Sequence, residues 1–326
     1  MIDRRAFVLA ATGGLLARPR LVAAQRTVKT PRIGLLAWEG CLSADSPFGQ
    51  ALGDLGYRWG QTIQLLCRSG EGDYGRLANA AGALATQNVD AIAALTHITA
   101  FAAHRATRSI PIVMIASGDP VRTGLVASLA RPGGNVTGLT YYAADLVEKR
   151  LHLLKEIIPR ATRVGVLENP ESDHVFGMYR QDTERAARAV GFQLVKADVS
   201  RPQDLDRGFD RMVADGAQGL LVLTDPMLSA HARRIAELAA RHRLPAMYWA
   251  PWFVEAGGLV AYSPDYSAML RRAASYVDRI LKGARPADLP IEQPTKFDLV
   301  VNLKAAKALG LTIPESLMLR AGQVIE

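Results

Sequence analysis

Arg163–Pro170 reads RVGVLENP, and Arg32–Glu39 reads RIGLLAWE. Both begin with an arginine, continue as a short apolar run interrupted by one glycine, and end in polar groups. They sit about 130 residues apart and each opens the same kind of series. Short continuous apolar runs bounded by turn signals read as strands buried on both faces. The repeat therefore predicts one βα unit used twice.

From Arg32 onward, strand and helix patterns alternate. SPFGQALGDLGY reads as a helix ending at Gly56, and TIQLLCRSG as a strand. YGRLANAAGALATQN is helical, with Leu77, Ala81 and Leu84 on one face. VDAIAALTH is a third strand, ITAFAAHRATRS a helix, and IPIVMIAS a fourth strand. After the helix LVEKRLHLLKEIIP the second series runs through DTERAARAVGF, QLVKADVS, PQDLDRGFDRMVADG, AQGLLVLTDP and SAHARRIAELAARHR. It closes on LPAMYW just as the first closes on IPIVMI. Strands alternating with helices predict an α/β fold of two doubly wound parallel-sheet domains joined by a hinge.

The tail adds a strand (GGLVAYSPD), a long helix (YSAMLRRAASYVDRILKG), a proline-rich stretch, a last strand (FDLVVN) and a last helix. This predicts that the chain returns to the first domain and crosses back. The expected limits are residues 1–24 for an export signal, 30–140 plus 257–284 for the first domain, and 141–256 plus 285–326 for the second. A chain of 326 residues suits two domains.

The formal charge is +8, of which the first 24 residues supply +3. The remaining charges are interspersed, whereas a nucleic-acid surface needs them clustered. Aromatics at 6% are too sparse for a single-strand stacking platform. In the N-terminal segment, Arg4 and Arg5 precede the short apolar run AFVLAATGGLLA, and Val22–Ala24 offers small residues before a cut at Gln25. DRRAFVL is similar to a twin-arginine export signal, so the expected location is periplasmic. Cys41 and Cys67 could pair in an oxidising compartment, but spacing alone leaves that open.

Ligands of doubly wound sheets lie beyond the carboxyl ends of the strands. That rule selects Trp38 and Glu39, then Thr96, His97 and Thr99, then Ser117 and Asp119, with Tyr141 at the domain crossing. In the second half it selects Glu168 and Asn169, Thr224 and Asp225, Tyr248 and Trp249, then Tyr262 and Asp265. Hydroxyls, acids and aromatics suit a small polar or zwitterionic solute. Glu39 and Asp225 are the candidates for an ammonium group. The hydroxyls equally suit helix caps, and Asp119 in GDP equally suits a turn.

Catalytic signatures are absent. There is no G-x-S-x-G elbow, no phosphate-binding GxxxxGK[ST], and no G-x-G-x-x-G after the first strand. The six histidines are scattered. No catalytic residue, cofactor or metal site is expected. The stretch Ser117–Thr140, SGDPVRTGLVASLARPGGNVTGLT, reads as a loop that holds rather than reacts.

Three segments carry a family resemblance: IPIVMIASGDPVRTGLVASLARPGGNVTG, LLKEIIPRATRVGVLENP and FDLVVNLKAAKALGLTIPESLMLRA. In this order they resemble the substrate-binding proteins of ABC importers of the tryptophan/tyrosine type, which have a type I periplasmic-binding fold. The resemblance implies a monomer that captures a small solute, an amino acid or a related small organic molecule, in the interdomain cleft and delivers it to a membrane permease. The alternative is a sensor that presents the same solute to a membrane receptor.

Overall fold

The computed structural model describes residues 30–141 and 144–326, so the expected export segment lies outside the described residues. The first sheet contains β1 (Arg32–Ala37), β2 (Gln64–Ser69), β3 (Ala91–Ala94), β4 (Ile112–Ser117) and β5 (Val136–Thr140). They pair in the order β2-β1-β3-β4-β5, parallel throughout. Side chains alternate across a strand, and both faces are apolar here. Ile33, Leu35, Ala93, Val113 and Ile115 pack on α1 (Pro47–Asp54) and α10 (Tyr266–Leu281). Leu36, Ile92, Ala94, Ile112 and Met114 pack on α2 (Tyr74–Thr86) and α3 (His97–Ala106). Burial on both faces explains the continuous apolar runs.

The second sheet contains β6 (Arg163–Glu168), β7 (Gln193–Asp198), β8 (Leu220–Val222), β9 (Ala246–Tyr248), β10 (Val260–Pro264), β11 (Phe297–Asn302) and β12 (Gln323–Ile325). Their order is β12-β11-β10-β9-β8-β6-β7, parallel except where β10 meets β11. One face is covered by α6 (Leu205–Ala214), α7 (Pro226–Ala230), α8 (Ala232–Arg241) and α9 (Pro251–Glu255). The other is covered by α4 (Ala144–Ile157), α5 (Asp173–Val190), α11 (Leu303–Leu309) and α12 (Glu315–Met318).

Three expectations from sequence need adjusting. Val136–Thr140, inside the stretch read as a loop, is the strand β5. Its Gly138 has φ +123°, and an added Cβ would lie 2.1 Å from the Met114 carbonyl oxygen, so the strand docks on β4 only with glycine there. The strand β10 does not return to the first sheet with residues 257–284. It pairs with β9 and β11, and only the helix α10 goes back. The terminal QVI forms the edge strand β12.

The chain thus passes between the lobes after Tyr141, at 264–266 and at 292–297. The last two passages are tied together: Asp265 N–H donates to the Lys296 carbonyl at 3.3 Å, and Lys296 Nζ lies 3.6 Å from the Asp265 carboxylate. Such a two-domain fold with a stitched crossing is a hinge.

Candidate functional site: the interlobe cleft

Both sheets present their strand carboxyl ends to a cavity of about 410 Å³ between the lobes. That volume lies within the range of small-molecule sites. From the first lobe it is lined by Trp38, Glu39 and Gly40 after β1, by Thr96 and His97 after β3, and by Tyr141 after β5. From the second it takes Thr224 after β8, Ser229 in α7, and Trp249 and Trp252 around α9. Ser263 comes from β10 and Tyr266 from the passage that follows it.

The aromatic residues form a connected wall. Tyr141 stacks on Trp249 with ring centres 6.1 Å apart, Trp249 meets Trp252 edge-on at 5.0 Å, and Trp252 meets Tyr266 edge-on at 5.8 Å. Trp38 is held by Tyr74 at 4.8 Å. The Trp252 indole donates to Ser229 Oγ at 2.9 Å. The Trp38 and Trp249 indole N–H groups are buried with no acceptor in the protein, which costs roughly 1–3 kcal/mol each unless something accepts them.

Electrostatically the cavity is quiet. Burial pushes the phenols of Tyr141 and Tyr266 up to about 12, so both stay neutral. Tyr141 also hydrogen-bonds the Thr224 side chain, which links the two lobes across the cleft. Burial lowers His97 to about 3. Its Nδ1 accepts from Gly118 N–H at 3.2 Å and lies 2.8 Å from Ser117 Oγ, so the ring is a neutral polar strut. Glu39 is the one Asp, Glu, Lys or Arg side chain among the lining residues.

Seven of the residues picked from sequence meet at this cavity: Trp38, Glu39, Thr96, His97, Tyr141, Thr224 and Trp249. The others lie outside its lining and have structural partners. Thr99 closes a reciprocal capping box with Thr96 at the start of α3. Asp225 caps α7 through Leu228 N–H at 2.8 Å and accepts from Asn169 Nδ2 at 3.1 Å. Asp265 caps α10 through Ala268 N–H. Ser117 holds His97, and Asp119 accepts from the N–H groups of Val121 and Arg122. Glu168 pairs with Arg180 at 3.0 Å.

The two remaining aromatics are core. Tyr248 is fully buried against Phe253, and a Cβ at Gly258 would touch its ring at 2.4 Å. Tyr262 stacks on Phe297.

Sequence reading missed Ser229, Trp252, Ser263 and Tyr266. Trp252 belongs to a five-residue helix with no periodicity to detect, and Tyr266 falls at the first turn of α10. Proline at the first turn of α9 was the available signal.

Cys41, immediately after Gly40, forms a disulfide with Cys67 of β2, with Cα atoms 6.1 Å apart. The bridge fastens the loop that carries Trp38 and Glu39 to the edge of the first sheet. Among the described residues no cluster of three or more His, Cys, Asp or Glu side chains is placed to hold a metal.

Two hinged α/β lobes closing on a cavity of solute size define a binding protein of the periplasmic type. The chain belongs to the ABC transporter substrate binding protein family, whose model matches residues 36–325. It is 28% identical over 269 residues to a tyrosine-binding protein of Clostridioides difficile (strain R20291), covering 82% of this chain and 76% of that one. A conserved domain protein of Vibrio cholerae superposes with a TM-score of 0.84 at 28% identity, covering 91% of this chain and all of the other. An ABC domain from Streptococcus pneumonia in complex with L-Trp superposes with a TM-score of 0.83 at 25% identity, again over 91% and 100%. The protein is therefore a substrate-binding component of an ABC transporter, from a family of binding proteins.

Proposed function

We propose that the cleft captures a small organic solute with a flat or aromatic part and an ammonium or other hydrogen-bonding head, an amino acid or a near relative. The observation that carries this reading is the wall of Tyr141, Trp249, Trp252 and Tyr266 facing Trp38 across the cavity. Flat faces gain from stacking on such a wall. The unpartnered indole N–H groups of Trp38 and Trp249 call for an acceptor, and Glu39 suits a cationic head. With no Lys or Arg in the lining, anionic solutes such as phosphates are disfavoured. The relatives that carry tyrosine and L-Trp in their names point the same way.

Closure follows from binding: a solute that touches both lobes stabilises the closed form by its differential affinity for that form. The closed protein then delivers the solute to the permease of an importer, acting as a monomer and without chemistry. The Cys41–Cys67 disulfide supports an oxidising, extracytoplasmic compartment. Arg4 and Arg5 with the following apolar run support export, by a twin-arginine route.

The test is a thermal-shift screen with amino acids, aromatic amines, nucleosides and small carboxylates. A solute present at a hundredfold excess over its Kd adds about 2.7 kcal/mol to stability. The expected result is a shift with an aromatic amino acid or amine, recovered unchanged afterwards. A solute that is consumed, or shifts confined to anionic compounds, would overturn the reading.

A further inference from the structure

Away from the aromatic wall, the lobes meet at a second place. After β4, Asp119 Oδ1 accepts from the N–H groups of Val121 at 3.1 Å and Arg122 at 3.0 Å, while Thr123 Oγ1 donates to the Asp119 carbonyl at 2.8 Å. This tight turn is rooted in the first lobe by the buried side chains of Leu125 and Val126. It projects Arg122 toward the second lobe. There Arg122 Nη1 reaches Asp182 Oδ2 on α5 at 2.5 Å.

Asp182 is only 4% exposed, and its other oxygen takes Arg185 Nη2 at 2.7 Å. One carboxylate is thus shared between a cation of its own lobe and a cation of the opposite lobe. The helix that carries Asp182 is fixed to the second lobe through Ala186 and Ala187. The neighbouring ionic cluster lies wholly on that lobe: Arg180 Nη2 is 3.0 Å from Glu168 and 3.7 Å from Asp198. That cluster lies within one lobe, whereas the Arg122–Asp182 contact joins the two.

We propose that Arg122 and Asp182 form a latch that favours the closed arrangement and so sets solute affinity without either residue touching the solute. This rests on the cleft reading above, but the latch can be measured without any solute. Apparent affinity scales with the fraction of molecules in the binding-competent arrangement. A desolvated carboxylate gains more from a partner than a surface one does. Arg185 keeps Asp182 paired in the open form, so opening loses one partner rather than stranding a bare charge. Arg122 keeps 39% of its side chain exposed, so screening moderates the gain. An effect of about tenfold on affinity is expected. The turn that Asp119 builds is then the mount of the latch, which explains why a proline-containing, strongly bonded turn sits at the cleft edge.

The experiment is small-angle X-ray scattering of the unliganded whole chain as wild type, Arg122→Ala, Arg122→Lys and Asp182→Asn, at low and high salt, with melting curves to check folding. L-tryptophan titrations accompany it as a binding probe. The latch predicts a larger radius of gyration for Arg122→Ala and Asp182→Asn at low salt, with Arg122→Lys close to wild type. It also predicts that salt expands the wild type toward the Arg122→Ala profile while leaving that variant unchanged. Affinity for L-tryptophan should fall about tenfold in Arg122→Ala and be largely restored by Arg122→Lys. Asp182→Asn removes a buried charge and can lower stability, so Arg122→Ala, changed at the exposed end, decides the matter. Superimposable wild-type and Arg122→Ala scattering at both salt concentrations overturns the latch. Failure of the wild type to bind L-tryptophan counts against the solute class alone, because the scattering result stands apart from it.

Discussion

The two edges of the cleft start from the same structural position, the carboxyl ends of parallel strands, and use it differently. At the ends of β8 and β9 the side chains are Thr224, Trp249 and, one turn further, Trp252, and they enclose a cavity with Trp38 and Tyr141. At the ends of β6 and β7 they are Glu168 and Asp198, joined to Arg180, with Asp182 and Arg122 beyond. One edge is largely aromatic and encloses a cavity; the other is charged and paired within the protein. Position in the fold thus marks where a ligand can lie, and the chemistry of the side chains there separates one strand end from the next. The charged side chains find partners of opposite sign within the protein, whereas the indole N–H groups of Trp38 and Trp249 face the aromatic edge without an acceptor.

Substitutions at the two edges test this contrast. The largest effect is expected from the disulfide, which holds the first-lobe half of the aromatic edge. The Cys41→Ser, Cys67→Ser double variant should lose about 3–4 kcal/mol, the chain-entropy cost of reopening a link with a sequence separation of 26. Urea unfolding of oxidised, reduced and double-variant protein would measure it, and an unchanged midpoint would deny the bridge a structural role. Next comes Trp249→Ala. It removes a ring in contact with Tyr141, Trp252 and Phe253 and should cost about 3 kcal/mol along with the solute response. Retained binding in that variant would remove the wall from the site.

A smaller effect is expected at the charged edge, and it depends on pH. Burial raises the Glu168 carboxyl to about 7 from its ordinary 4.5, against the pull of Arg180, with Asp198 adding to the rise. Between those values the folded chain holds a proton that the unfolded chain has released. Stability from this group is therefore present below about pH 4.5 and is lost as the pH climbs toward 7. Glu168→Gln should flatten that fall, so the melting temperature of the variant gains on the wild type from pH 5 to pH 7. Parallel curves would show that Glu168 is ionised throughout. The smallest effect belongs to Ser229→Ala, which strands the Trp252 indole at a cost of about 1 kcal/mol.

The sequence carried the architecture further than the site. RIGLLAWE and RVGVLENP announce the two sheets because strands buried on both faces must be apolar throughout. Strand-end residues are ambiguous by nature, since the same position begins a helix. Thr99, Asp225 and Asp265 are caps, and their side chains serve backbone N–H groups rather than the cavity. Tyr248 and Trp249 are adjacent in sequence but differ in fate: β9 ends on Tyr248, fully buried beside Gly258, and Trp249 just beyond the strand reaches the cavity. Trp252 and Tyr266 reach the cavity only through the path of the hinge, which no local pattern encodes. Nothing in GGLVAYSPD says which sheet edge the strand β10 will meet, and it joins the second sheet beside β9 and β11.

The central claim is that a solute is held between the lobes against the aromatic wall. Three of the four tryptophans, Trp38, Trp249 and Trp252, line the cavity, and Trp59 lies apart from it. A titration of intrinsic tryptophan fluorescence with L-tyrosine, excited where tyrosine does not absorb, therefore reads the cleft itself. The account predicts a saturable change at one solute per chain, abolished in Trp249→Ala, with the tyrosine recovered intact. A flat titration with L-tyrosine and with the aromatic amines, or a response that survives Trp249→Ala, would contradict it.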